Sequence, residues 1–261
     1  MKSLGVRNRR TWLRLRPKRA SAQPATHPAA LTATSGIDQI LDALDARGHN
    51  LQDFTAVVRL SDTDNSTGDS AATDGKVLFQ RKGDGDARIR VAFNKKERGD
   101  QIFDVDHQYT LDDGWLVERD YQAKKEIRNQ VLKPGQKMDL LKLGEGPFPL
   151  PIGQKKEDVK NLFDVGKIEP AKDDPTDTVH VRLTPRPQTQ YARKFKTVDL
   201  WVDLASAMPR RIQTLDANET TIKTTDLSEV KINVGLADAD FAQPALPNSG
   251  WDQIVQPYEQ Q

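Results

Sequence analysis

The chain has 261 residues, 36% of them hydrophobic, and no cysteine, which excludes disulfides, thiolate catalysis and cysteine-based zinc sites. Counting its 16 glycines, the apolar share is about 42%, below the ~45–50% usual for globular domains, so part of the chain stands outside a packed core, and there is no run of about 18 apolar residues to cross a membrane as a helix. The net charge of +1 hides an asymmetry: eight basic residues and no acid in the first twenty leave 31 basic against 38 acidic side chains, or −7, which argues against a body that binds nucleic acid.

Residues 1–35 read as a basic leader. Arg9-Arg10-Thr11-Trp12-Leu13 resembles a twin-arginine export string, yet arginines interrupt the apolar stretch that should follow. Three readings stay open: a degenerate or cleaved export signal, a disordered basic arm, or a tether for polyanions. In each, the fold itself is expected over residues 36–247, with 248–261 a peripheral tail.

Ile37, Ile40, Leu41 and Leu44 fall at helical spacing, with Ser35 as cap and Gly48 as stop, which predicts a helix over Ile37 to Arg47. The period then changes to two. Phe54, Ala56, Val58 and Leu60 alternate with polar or smaller residues as a half-buried strand does. Ser61 to Gly75 reads as a solvated hairpin loop. Its Asp62, Asp64 and Ser66 imitate a calcium loop, but threonines at 67 and 73 stand where that motif needs glycine and an acid.

Strands follow in quick succession. Val77 and Phe79 share a face with Arg81; Ile89, Val91 and Phe93 share one; so do Phe103, Val105 and His107. Asp112-Asp113-Gly114 signals a turn, after which Trp115 and Val117 are expected on the apolar face. Asp104 and Asp106 alternate with His107 and point away from it, so this stretch reads as wall rather than active site. Beyond Leu132 a short helix is expected at Met138 to Leu143, then a proline-stiffened apolar loop and a helix over Lys155 to Phe163. Strands resume at Phe163–Ile168, Thr178–Leu183, Phe195–Val202, Arg210–Leu215 and Thr220–Leu227, with a helical turn at Asp238–Phe241.

This order predicts an α+β fold, one strongly curved antiparallel sheet of about eleven strands forming an incomplete β-barrel, with short helices as a lid over an apolar cavity. The cavity lining is expected from Phe54, Val58, Val77, Phe79, Ile89, Val91, Phe103, Val105, Trp115 and Val117. No G-x-S-x-G, H-E-x-x-H or glycine-rich phosphate loop is present. His27, His49, His107 and His180 are scattered, so no catalytic residue, metal site or cofactor is expected.

The strings FTAVVRL, GKVLFQR, ARIRVAF and DDGWLVERDYQAKKEI, and later VDLWVDLASAMPRRIQTLDANETTIKTTDLSEVKINVGLADADFAQPALP, resemble the two halves of the LolA-type periplasmic carriers of outer-membrane lipoproteins, over Ile37 to about Pro247. That resemblance implies a noncatalytic periplasmic carrier, monomeric, holding acyl chains of lipoproteins or other lipids in its interior and working between an inner-membrane release complex and an outer-membrane acceptor. The alternative is a lipid-sensing or protein-docking module of the cell envelope, like the anti-sigma-factor regulators that resemble these carriers. One polar residue carries over: Arg81 matches the family's strand-end basic residue that latches the lid, although Lys82 replaces the proline that follows it. An arginine there either caps lid carbonyls or extends its head into water.

Overall fold

The computed structural model describes residues 30–83, 85–133, 135–137, 154–247 and 249–258. Its elements run α1 (Ile37–Asn50), β1 (Asp53–Asp64), β2 (Ser70–Gly83), β3 (Asp86–Arg98), β4 (Gln101–Asp112), β5 (Trp115–Asp120), β6 (Lys125–Gln130), α2 (Lys156–Leu162), β7 (Phe163–Ile168), β8 (Thr178–Pro185), β9 (Phe195–Asp203), β10 (Pro209–Asp216), β11 (Thr221–Ile232), α3 (Asp238–Phe241) and β12 (Asp252–Gln256). All twelve strands belong to one sheet, in the order β12-β6-β5-β4-β3-β2-β1-β11-β10-β9-β8-β7. Neighbours are antiparallel except β12, which runs parallel to β6. A sheet this wide, built from right-twisted strands, coils instead of lying flat. It stays open, with β12 and β7 as its free edges. The helix expected at Met138–Leu143 and the proline-rich loop after it lie outside the described residues.

Register explains the alternation in the sequence. Phe54 stands opposite Phe79, Phe79 opposite Ile89, Ile89 opposite Leu111 and Leu111 opposite Leu116, an apolar row across five strands on the concave face. A second row runs Ala56, Val77, Val91, Tyr109 and Glu118, and a third Leu227, Val58, Gly75, Phe93, His107 and Asp120. At Gly75 a Cβ would lie 2.3 Å from the Ala92 carbonyl oxygen. Only glycine lets β3 come this close where its register shifts between Phe93 and Lys95. In the other half of the sheet Val181, Leu200 and Ile212 continue the same face.

The helix α1 supplies the facing layer. Its buried residues Ile40, Leu41, Ala43, Leu44, Arg47 and Gly48 recur at helical spacing, and its apolar side chains join the sheet's inner face in one continuous core. It runs past the expected stop at Gly48 to Asn50, and Gly36 rather than Ser35 is its cap. Packing against the sheet carries the helix through Gly48, which is buried there. The smaller helix α2 rests on α1 through ion pairs of Lys156 with Asp42 and Lys160 with Asp38.

Three expectations need correction. Residues 31–35 belong to the fold and not to the leader: Leu31 is buried and its amide donates to the Leu204 carbonyl. The segment Ser61 to Gly75 is mostly strand, because β1 and β2 extend as a hairpin whose end carries aspartate, serine, threonine and alanine on both faces and so shows no apolar alternation. Only its tip turns, with Asp64 accepting from the amides of Ser66 and Thr67. Last, the C-terminal tail is not simply peripheral, since β12 adds an edge strand.

Before β12 the chain crosses the convex face as a strap. The Asp53 carboxylate accepts from the amides of Val234, Gly235 and Leu236, fixing where the strap begins. Arg88 pairs with Asp238 and lies 4.3 Å over the Phe241 ring. Arg90 donates to the carbonyls of Asp240 and Ala242, Gln243 to the Thr110 hydroxyl, and Arg119 to the Pro244 carbonyl. Elsewhere the convex face carries a ladder in register, His180, Trp201, Arg211, Asp226, Arg59, Asp74 and Lys95, of which His180 and Trp201 are buried. Within it Arg211 meets Asp226 at 2.6 Å and Arg59 meets Asp74 at 2.7 Å.

Candidate functional site

Eight of the ten residues expected to line a cavity sit on the concave face. Six of these, Phe54, Val58, Val77, Phe79, Ile89 and Val91, are no more than 4% exposed. They belong to the same packed core as Ile40, Leu41 and Leu44 of α1. Here α1 packs over this part of the concave face. Phe103 and Val105 follow farther along β4, where α1 does not bury them fully. Phe103 is 46% exposed, and Val105 is half-buried against the core's margin.

Trp115 and Val117 are on the opposite, convex face. Asp113 and Gly114 form a two-residue hairpin loop with φ of 47° and 76°, so Asp112 pairs with Trp115, Leu111 with Leu116 and Thr110 with Val117. Directly paired residues share a face. Trp115 therefore follows Asp112, and Leu116 takes the place in the concave row that had been expected for Trp115.

Arg81 has the same parity as Phe79 and reaches the end of α1. Its Nη2 donates to the Gly48 carbonyl at 2.8 Å and its Nε to that of Leu51 at 3.2 Å. These oxygens lie at the helix C-terminus, where carbonyls lack intrahelical partners. Arg47 secures α1 to the other half of the sheet, donating to the Ser206 carbonyl at 2.6 Å. Burial pushes the Arg47 guanidinium below its ordinary range. Asn233, after β11, adds bonds to the Gln52 amide and the Asn50 carbonyl. Near the helix start, Lys167 donates to the carbonyls of Ala33 and Ser35. Between the first turn of α1, α2 and β7 lies an open groove of about 560 Å³, lined in part by Ile37, Phe163, Val165 and Lys160.

Beyond α1, on β4 to β6, the concave face becomes a half-buried strip in which Val105, Tyr109, Leu116 and Val131 pack on the core's margin. Polar groups interrupt it. His107 Nε2 and Glu118 Oε1 are 2.8 Å apart, and the Tyr109 hydroxyl donates to the same oxygen at 3.3 Å. The Tyr109 ring lies 4.9 Å from that of His107 and packs edge-on against Phe93. Burial, and then the neighbouring Glu118 charge, push the Tyr109 phenol up to about 12, so it serves Glu118 as a neutral donor.

No family model matches the chain, and no curated protein matches it. Solved structures do resemble it in shape. An uncharacterized conserved protein from Thermus thermophilus shares 13% identity over 84% of this chain and 98% of its own, with a TM-score of 0.47. MucB, in its Pseudomonas aeruginosa complex with MucA, shares 13% over 78% of this chain at 0.45. The chain spans about 60% of that protein. A LolA superfamily protein from Nitrosomonas europaea shares 13% over 79% of this chain and 97% of its own, at 0.32. Likeness of this degree concerns shape alone.

The His107–Glu118 contact is what sequence reasoning missed. Asp104 and Asp106 are exposed, as alternation requires. The acid that meets His107 comes from the next strand, because the hairpin sets Tyr109 opposite Glu118 and His107 opposite Asp120. The signal was available in Asp113-Gly114, whose two-residue loop fixes this register.

Proposed function

We propose that the protein is a noncatalytic carrier that holds acyl chains of a lipoprotein or another lipid against its concave face, working in the periplasm between an inner-membrane release complex and an outer-membrane acceptor. The observation that carries this reading is the apolar concave row, which runs from the core under α1 as far as Leu116 on β5, at the half-buried strip. A ligand of a dozen methylenes gains about 10 kcal/mol on burial at about 0.8 kcal/mol each. The side chains α1 places on the same surface, Ile40, Leu41 and Leu44, are worth about 1.5–3 kcal/mol apiece, or roughly 5–9 together. Hydrocarbon and helix therefore compete on nearly equal terms, and the Arg81 bonds act as the latch that sets the balance.

The test is binding of a fluorescent fatty acid by the purified full chain, with native mass spectrometry of protein recovered from its own cells. Saturable binding and copurified lipid are expected. Failure of both would remove the carrier reading. A second reading, a sensing or docking module for an envelope regulator, draws on the charged residues Glu118, Asp120 and Lys125 within the strip, which suit a polypeptide better than bare hydrocarbon. Crosslinking in cells separates the two: a carrier is caught with many lipoproteins, a docking module with one dominant membrane protein.

A further inference from the structure

The strip on β4 to β6 has an unusual charge arrangement for a surface that is to hold hydrocarbon. Glu118 lies on the concave face, its side chain 31% exposed, within hydrogen-bond distance of His107 and in no ion pair with a lysine or arginine among the described residues. Both hydrogen bonds fall on Oε1, which leaves Oε2 without a donor among the described residues. Asp120, two residues along β5, adds a second negative charge to the same face. Lys125 is directly opposite Asp120 on β6, yet makes no ion pair among the described residues. Next to Leu116, the buried Oδ1 of Asn129 also lacks a donor.

An acyl chain laid over Leu116 and Val105 would strip water from Glu118. Desolvating a carboxylate costs several kcal/mol unless a cation accompanies it. A ligand that brings its own positive group to this point avoids that cost. Tyr109 and His107 adjoin the position with aromatic rings, and a ring face favours an ammonium over a neutral group. Lys125 is the diagonal neighbour of Glu118 across β5 and β6, a Cβ separation of about 7–8 Å, and its free ammonium suits an anion attached to the same headgroup.

We propose that Glu118, held by His107 and Tyr109, and Lys125 form a headgroup site for phosphatidylethanolamine, Glu118 taking the ammonium and Lys125 the phosphate, with the acyl chain running along Leu116 toward the apolar row. This rests on the carrier reading and names its ligand class. The test uses the full chain and three single-chain probes of equal length: lysophosphatidylethanolamine, lysophosphatidylglycerol and an alkylamine. The ethanolamine lipid is expected to bind about tenfold more tightly than the glycerol lipid, the effect of one charge-assisted hydrogen bond. Glu118→Gln keeps the shape and the acceptor for Tyr109. It should weaken the ethanolamine lipid and the alkylamine about tenfold while leaving the glycerol lipid unchanged. Lys125→Gln should weaken both phospholipids and spare the alkylamine. Equal binding of the two phospholipids by the unaltered chain, with no response to Glu118→Gln, overturns the headgroup site and leaves the carrier reading intact. If the unaltered chain binds none of the three probes, the carrier reading fails and the site fails with it.

Discussion

Replacing Arg81 with methionine separates the latch from the packing beneath it. Arg81 contributes two charge-assisted bonds, to Gly48 at 2.8 Å and Leu51 at 3.2 Å, each worth about 1.5–3 kcal/mol when buried. The side chain is only partly buried and the freed carbonyls can reach water, so the pair is worth about 2–3 kcal/mol together. That is less than the roughly 5–9 kcal/mol of apolar burial holding α1. The helix should therefore stay closed, while its opening equilibrium rises about 30- to 150-fold. Amide hydrogen exchange reads this directly: amides of residues 40–50 should speed up by that factor, while those of β8 to β10 keep their protection. Acyl-chain affinity should rise in parallel if α1 must lift to admit ligand. Exchange in α1 within twofold of the unaltered chain, or a uniform rise over the whole sheet, would refute the latch.

Other perturbations test the frame around the site. Gly75→Ala puts a Cβ 2.3 Å from the Ala92 oxygen and 2.9 Å from Phe93 Cα. A loss of about 2–4 kcal/mol is expected, and an unshifted urea midpoint would count against the close approach. Arg119→Met strands Glu126, whose partner is 2.7 Å away in a pair both of whose side chains are under 10% exposed; a loss of about 3–5 kcal/mol is expected, together with weaker binding of every lipid probe, unlike the selective effect of Glu118→Gln. For acid pH, burial opposes ionisation of Asp199, but bonds from His180 and Arg182 outweigh it and hold the carboxyl below its ordinary range. A carboxyl depressed in the folded state stabilises above its unfolded pKa of about 4 and loses that stabilisation as pH falls through the folded value. Between pH 5 and 3 the unaltered chain should therefore lose more stability than Asp199→Asn; equal losses would contradict this. Finally, the Lys156–Asp42 and Lys160–Asp38 pairs are exposed, so molar salt should speed exchange in α2 and leave α1 unchanged.

Much of this was legible in the sequence. The parity of Phe54, Val58, Val77, Phe79, Ile89 and Val91 followed from alternation alone, because these strands are apolar on one side only. Alternation could not cross a turn. From Asp112 to Trp115 the parity depends on loop geometry, and assigning Trp115 by its size instead of its partner put it on the wrong face. The same register sets Glu118 beside His107, so a turn recognised without its register concealed both the true lining, Leu116, and the polar cluster. What covers the concave face was illegible for another reason. A helix with four apolar positions can rest as a lid over a void or fill it, and only the depth of the trough decides. The strap escaped notice because Leu236 to Pro244 has no periodicity; it is held by side chains that the strands present, Gln80, Arg88, Arg90, Thr110 and Arg119.

The two halves of the sheet are supported from opposite sides, and this places the site. Over β1, β2 and β8 to β11 the inner face is packed against α1 and the outer face carries the charge ladder. Toward β4 to β6 the packing of α1 gives out, and these strands end at β12, an edge with a single neighbour. A curved sheet edge without a layer on either side would fray, since a few strands bury too little surface to hold themselves. Among the described residues the layer here is on the outside: the strap is bonded to β3, β4 and β5, and the Arg119–Glu126 pair ties β5 to β6 just behind Glu118. Rigidity from the convex side frees the concave side from having to pack. That freedom lets Val105, Tyr109 and Leu116 remain half-buried without destabilising the fold, and it leaves a held surface next to the core on which an acyl chain can begin to bind before α1 moves.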